Sequence, residues 1–363
     1  MVAVQLASAR IGRVTGKGLA ENLKTFMPRW LLIGLVGLLF IANTINIGAD
    51  LAAMGEASAL VAGGGRHGFT IGFAILSLAL QIYVPYHRYA AILKWLTMVL
   101  LAYVAVLFMV HVDWVAVIND LVVPHIESRA AITMIVALFG TTISPYLFFW
   151  QAAQETEELD RVEERKPLKQ AKDQASDALR RIRWDTFVGM AASNIIALAI
   201  MLATAATLHA NGKTDIQSAA DAAKALQPIA GVFAFGIFSL AIVGTGLLAV
   251  PVLSGSSSYA ICALGGWQAS LERKPFDAKI FYAVIALGMA LGLAIDWSHI
   301  NPMKALLWSA VLNGVVAVPV LVGLMLAVSD GQIMSIFAAS RSLKIFGWLA
   351  MSTMAVAAAA MLF

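Results

Sequence analysis

"LFGTTISPYLFFWQ" (residues 138–151) lies inside an apolar run, 131–152, that is long enough to cross a bilayer, yet Gly140, Thr141, Thr142, Ser144 and Pro145 crowd its middle. In hydrocarbon an unpartnered backbone group is costly, so non-helical backbone occurs only where protein or a polar cavity satisfies it. Gly140 lowers helix propensity, while Pro145 lacks an N–H and clashes with the carbonyl four residues back, at Thr141. The stretch therefore predicts a broken helix with the Thr141 and Thr142 carbonyls released. Freed carbonyls beside half-helix ends are a common way for secondary transporters to hold a cation near the membrane midplane. The competing reading is a plain proline kink, which membrane helices tolerate.

The rest of the chain agrees with a membrane setting. Of 363 residues, 60% are hydrophobic and 13% charged, more apolar surface than one soluble core can hide. A span needs about 20 apolar residues. Nine stretches qualify: 30–49, 69–86, 92–112, 131–152, 184–209, 229–253, 280–297, 303–328 and 343–363. With short loops between them, residues 1–363 read as one all-α polytopic membrane domain. Residues 1–28 read as the remnant of a span followed by a cytoplasmic loop. No basic segment precedes the apolar start, so it is not a signal peptide. The lone Cys262 excludes an intramolecular disulfide and a cysteine metal cluster.

Basic residues set the orientation. Of 25 Lys and Arg, only Arg66, Arg129, Lys213, Lys224 and Lys304 fall on one side of the nine spans. The other side, with the excess, is cytoplasmic. The net charge of +4 is then a topology signal and calls for no nucleic-acid partner. The longest cytoplasmic loop, residues 154–184, reads as a solvated helical connector carrying a Glu157–Arg161 pair at i,i+4.

Three more polar features fall within spans. Asn43, Asn46 and Asp50 lie within about 60° of one another on a helix. An intramembrane acid on such a face normally looks at the bundle interior or a wet path. The alternative is that Asp50, at the end of span 30–49, simply reaches solvent. Asn313 is the only amide of its span and is expected to face protein. The run 252–260, "VLSGSSSYA", suits close helix packing. Enzyme readings find no support: there is no HExxH, no second intramembrane Asp for a dyad and no histidine partnered to "GSSSY".

Three stretches together resemble the Nramp (natural resistance-associated macrophage protein) family of divalent-metal transporters. "VAVQLASARIGRVTGKGLAENL" (2–23) is similar to the end of its second span and the following loop, "ANTINIGADLA" (42–52) to its third span, and "GTTISPYLFFWQ" (140–151) to its broken sixth. The resemblance implies a LeuT-type bundle of two inverted five-helix repeats with a metal where the broken helices cross. Residues 131–328 would form the second repeat, 30–112 the rest of the first, and 343–363 an extra span. The first span and part of the second, with the acidic Asp-Pro-Gly half of the metal site, would be missing, making Met1 an internal methionine.

Departures from the family pattern sharpen the expectation. Ser144-Pro145-Tyr146 stands where the family typically has Met-Pro-His, Gln151 replaces a second His, and Ala53 replaces a Glu three residues after Asp50. Hydroxyl and carbonyl oxygens are hard ligands suited to Mg²⁺ or Mn²⁺, unlike a thioether. Loss of both His and the Glu removes groups that could carry protons. The resemblance is then to the Nramp-related branch associated with Mg²⁺ and Mn²⁺. Thr141 through its carbonyl and Ser144 through its hydroxyl or carbonyl would touch the ion. Thr142, Pro145, Tyr146, Gln151, Asn313, Asn43 and Asn46 would line its path, and Asp50 would attract cations. The metal is the substrate, no cofactor is implied, and neither is a protein partner beyond the bilayer. Two other readings remain at this point: a non-transporting protein of the same fold, and an organic-solute carrier.

Overall fold

The structure, a computed structural model, describes residues 1–122, 128–213, 215–216, 218–226, 231–298 and 301–362. Among these, every regular element is helical. Buried apolar runs fold this way because a helix satisfies its backbone within one segment. The fold is carried by α1 (Val2–Thr15), α2 (Arg29–Ala62), α3 (Arg66–Tyr83), α4 (Tyr86–Val106, with a 3₁₀ turn at Met98–Leu100), α5 (Arg129–Thr142), α6 (Pro145–Arg161), α7 (Ala175–Thr207), α8 (Ala234–Gly265), α9 (Lys279–Asp296), α10 (Pro302–Ser329) and α11 (Arg341–Leu362).

Eight stretches are both long and apolar enough to cross a membrane, with α5 and α6 together forming one of them. The ninth expected span, 69–86, is α3. Its 18 residues span about 27 Å at 1.5 Å per residue, but Arg66, His67 and Gln81 dilute its hydropathy. Its polar Thr70, Ser77 and Gln81 are buried, facing protein and not lipid. The expected span 229–253 is observed as α8 from Ala234; residues 229 and 230 lie outside the described residues, as does 363 at the end of 343–363.

Helices overrun their apolar windows where the extra turns pack on protein. The window 30–49 ends at the first charge, whereas α2 continues to Ala62 with Leu51, Ala52, Ala53, Met54 and Ala57 buried. Asp50 is thus 12 residues inside the helix end, about 18 Å by the helical rise, and not at a solvated terminus. Likewise α8 runs on to Gly265 through buried Ser254, Ser256, Ser257 and Ser258.

Two apolar clusters hold the bundle. One gathers α1, the first half of α2, α6, α10 and α11 around Leu39, Phe148, Leu321 and Leu324. The other gathers the second half of α2 with α8 and α9 around Met54, Val250, Phe281 and Ile285. Small residues set the closest approaches: a Cβ on Gly48 of α2 would strike the Gly292 backbone of α9, and one on Gly12 of α1 the Ala152 carbonyl of α6.

The charged segment 154–184 is solvated only in part, with Asp160, Arg161, Glu163 and Glu164 exposed but other positions packed on the bundle. Leu168 is fully buried, and its N–H donates to the Arg13 carbonyl at 3.1 Å, tying the loop to the end of α1. Arg181 reaches back to Glu155 at 3.2 Å and to Glu158 at 2.6 Å. Nor does Glu157 pair with Arg161. Its carboxylate is buried and accepts from the Tyr259 hydroxyl (2.6 Å), the Ser270 hydroxyl (2.8 Å) and the Leu271 N–H (2.9 Å). Three donors converging from α8 and the loop after it outcompete one mobile arginine across a helix face, worth only a few tenths of a kcal/mol. Glu157→Ala strands these donors and is expected to cost about 2 kcal/mol, read as a drop in the thermal midpoint of tryptophan fluorescence. An unchanged midpoint would show the triple contact to be idle.

Candidate functional site

The break falls where the sequence puts it. α5 ends at Thr142, α6 starts at Pro145, and Ile143 and Ser144 form the gap. Proline suits the first position of α6, since its ring presets the helical φ and its missing N–H would be an orphan there anyway. Ser144 is the N-cap in extended conformation (φ −75°, ψ 137°). Its hydroxyl does not cap α6; it turns back to the Gly140 carbonyl and lies 3.2 Å from that of Thr141. Among the described residues no backbone N–H reaches the Thr141 or Thr142 carbonyl. The gap therefore joins a carbonyl-rich end of α5 to the amide-rich start of α6, opposite poles of two helix dipoles.

The threonine side chains take no part. The Thr141 hydroxyl bonds the Ala137 carbonyl at 2.9 Å and that of Thr142 the Leu138 carbonyl at 2.8 Å, each within α5. Thr141 is exposed at a shallow apolar groove beside Met134, Leu138, Met201 and Leu307, so only its carbonyl can serve the gap.

Tyr146, the second residue of α6, links the gap to Asp50 of α2. The half-buried Tyr146 phenol interacts with the Ser144 side chain and lies within electrostatic reach of Asp50. No Lys, Arg or His among the described residues forms an ion pair with Asp50. One and two turns before it on α2, the polar stripe makes helix contacts. Asn46 accepts from the Ser309 hydroxyl of α10. The Asn43 amide donates to the Leu253 carbonyl (3.0 Å) and the hydroxyls of Ser256 (3.0 Å) and Ser257 (2.9 Å) on α8. Asn313 is buried one turn beyond Ser309, within about 40° of its face. The side-chain oxygens of Asn43 and Asn313 are buried without a hydrogen-bond partner.

Gln151 belongs to a different contact. It accepts from the Gln5 amide at 3.2 Å, and Gln5 also donates to the Leu147 carbonyl at 3.4 Å, joining α1 to α6. Gln5, Ser309, Ser256 and Ser257 are the polar contributors that the sequence did not single out as site residues. The signal available was a polar side chain on a largely apolar helix, the kind used for Asn313.

On the side of the gap towards segment 154–184 lies a chain of rings. Trp150 meets Tyr86 (centroids 4.9 Å apart) and Tyr259 (6.1 Å), and Tyr259 meets Phe281 (4.8 Å). Beyond it a cavity of about 240 Å³ is lined by His87, Glu155, Glu157, Glu158 and Glu272, together with Arg161 and Arg181. Among the described residues no three His, Cys, Asp or Glu side chains are placed to hold a metal together. Any cation in the gap would be held mainly by backbone and hydroxyl oxygens.

The family profile described as natural resistance-associated macrophage protein-like matches residues 1–363. The chain belongs to the Nramp family. It is 24% identical over 357 residues to the divalent metal cation transporter MntH of Klebsiella pneumoniae (strain 342), covering 95% of this chain and 79% of that protein. Against the protein of the same name from Caldanaerobacter subterraneus it is 25% identical over 375 residues, with 96% and 79% covered. The fold matches a crystal structure of the Eremococcus coleocola manganese transporter with a TM-score of 0.75 at 16% identity, covering 98% of this chain and 76% of that one. This Nramp chain is therefore a multi-pass helical membrane protein, with a helix break between α5 and α6.

Proposed function

We propose that this chain carries divalent metal cations across a bacterial plasma membrane, favouring Mg²⁺ and Mn²⁺ and needing no obligatory proton symport. The observation that carries the reading is the gap itself. The Thr141 and Thr142 carbonyls are free of backbone donors, and the Ser144 hydroxyl and the Asp50 carboxylate share the Tyr146 phenol as neighbour. That set is all oxygen, the donor type of hard cations. Mg²⁺ sheds water reluctantly, so a loose oxygen-lined gap that leaves part of its shell in place suits it. The names of the MntH relatives and of the manganese transporter support a divalent metal as cargo. The gap offers no imidazole, and Ala53 follows Asp50 where a carboxylate would provide a second proton site. In this reading residues 131–328 form the second repeat and the bilayer is the only partner required.

The test is flux into proteoliposomes holding the purified chain, with Mg²⁺ and Mn²⁺ in competition. Ser144→Met adds a thioether at the gap and is expected to move the Mn²⁺:Mg²⁺ flux ratio towards Mn²⁺ about tenfold, the worth of roughly 1.4 kcal/mol. An unchanged ratio removes Ser144 from the ion's contacts. A pH indicator sealed inside should stay silent during metal entry; acidification in proportion to metal would overturn the uncoupled mode.

A further inference from the structure

A groove of about 800 Å³ runs between α1, α5, α7 and α11 and reaches the helix break at Ile143. Its polar end holds Arg10, Arg183, Ser340 and Ser342. Its walls are apolar, with Phe139 and Ile143 from one side and Phe346, Leu349 and Met354 from the other. No carboxylate lines it.

The two arginines lie close enough to repel one another. Arg10 spends one terminal nitrogen on the Phe337 carbonyl, at 2.9 Å. Its Nε is buried without a hydrogen-bond partner. Arg183 is exposed and forms no ion pair among the described residues. Both belong to the side that carries the excess of basic residues, the cytoplasmic leaflet by the positive-inside asymmetry. Guanidinium groups are shaped for two-point contact with phosphate oxygens.

The groove also has the depth of one leaflet. From Ser342 to Met354 along α11 is about 18 Å at 1.5 Å per residue. Half of a bilayer's hydrocarbon core is about 15 Å. A charged mouth at the interface with an apolar shaft of that length fits a lipid and not a free anion, which would gain nothing from the shaft.

We propose that this groove binds one anionic phospholipid, with its phosphate held by Arg10 and Arg183 and an acyl chain lying against Phe139, Ile143, Phe346 and Leu349. The occupant shields two like charges from each other and satisfies Arg10. Because Ile143 sits in the helix break, the same lipid buttresses the outer side of the gap.

The experiment is native mass spectrometry of the full chain released from nanodiscs of equal phosphatidylglycerol and phosphatidylcholine. Wild-type protein is expected to retain one phosphatidylglycerol in preference to phosphatidylcholine. Arg183→Gln touches no internal bond and should lower that preference about fivefold, the worth of one basic residue at an anionic surface. Ala350→Trp, which fills the shaft, should remove the retained lipid of either kind, and millimolar inorganic phosphate should displace none. Equal retention of the two lipids, an Arg183→Gln variant that keeps the full preference, displacement by phosphate, or a second copy of the chain in place of lipid would each overturn the proposal.

Discussion

Gly140→Val is expected to leave little folded protein. A Cβ at residue 140 would coincide with the Ala310 carbonyl of α10 and approach the Gly314 N–H nitrogen to 2.5 Å. Gly314 is tight in return, since its own Cβ would meet the Val136 carbonyl oxygen at 2.7 Å. These are backbone atoms on both sides, so no rotamer change can make room; α5 and α10 must separate. Overpacking of this kind costs about 3 kcal/mol or more, a large share of the roughly 5–15 kcal/mol that holds a typical protein folded. The check is size-exclusion profile and melting midpoint beside Gly34→Val and Gly72→Val, where an added Cβ meets nothing within 4 Å. Gly140→Val behaving like those controls would mean the two helices are not held in contact.

That contact also shows what the sequence could and could not convey. Gly140 was legible as a helix weakener beside Pro145, because both effects are local to the backbone. Its second role, admitting α10 to van der Waals distance, depends on Ala310 and Gly314, 170 residues or more away, and no local pattern announces it. The same divide explains the other differences. Hydropathy marks where a helix leaves lipid but not where it leaves protein, so 30–49 stopped at Asp50 while α2 continued to Ala62. Residues 154–184 looked solvated because charge density measures potential exposure; the burial of Glu157 and Leu168 comes from Tyr259, Leu271 and Arg13, which arrive from elsewhere. The broken helix was readable because proline chemistry needs no partner. Which side chains share the gap was readable only in part. Asn43 and Asn46 do sit on one face with Asp50, but the Asn43 amide nitrogen is engaged by α8, the Asn46 side-chain oxygen by α10, and Gln151 by Gln5.

Asp50 is what remains of that stripe with its charge unspent, and Asp50→Asn is expected to move activity and stability in opposite directions. A carboxylate inside a bundle is costly unless paired, and the structure offers Asp50 a phenol as neighbour but no cationic side chain. In the proposed reading its partner is a mobile cation at the Thr141–Ser144 gap. Neutralising it removes an attraction to a divalent ion that, at the effective dielectric of a protein interior, is on the order of 2 kcal/mol after screening, so Mn²⁺ flux at sub-saturating metal should fall about thirtyfold. The same change removes a half-buried carboxylate that has no cationic partner among the described residues, so the melting midpoint in metal-free buffer should hold or rise. Asp50→Glu, which keeps the charge but shifts it by a methylene, should recover part of the flux. A structural acid would behave otherwise: its loss would lower the midpoint and reduce flux only through lost folded protein. Wild-type flux in Asp50→Asn at an unchanged half-saturating metal concentration would separate Asp50 from the ion altogether.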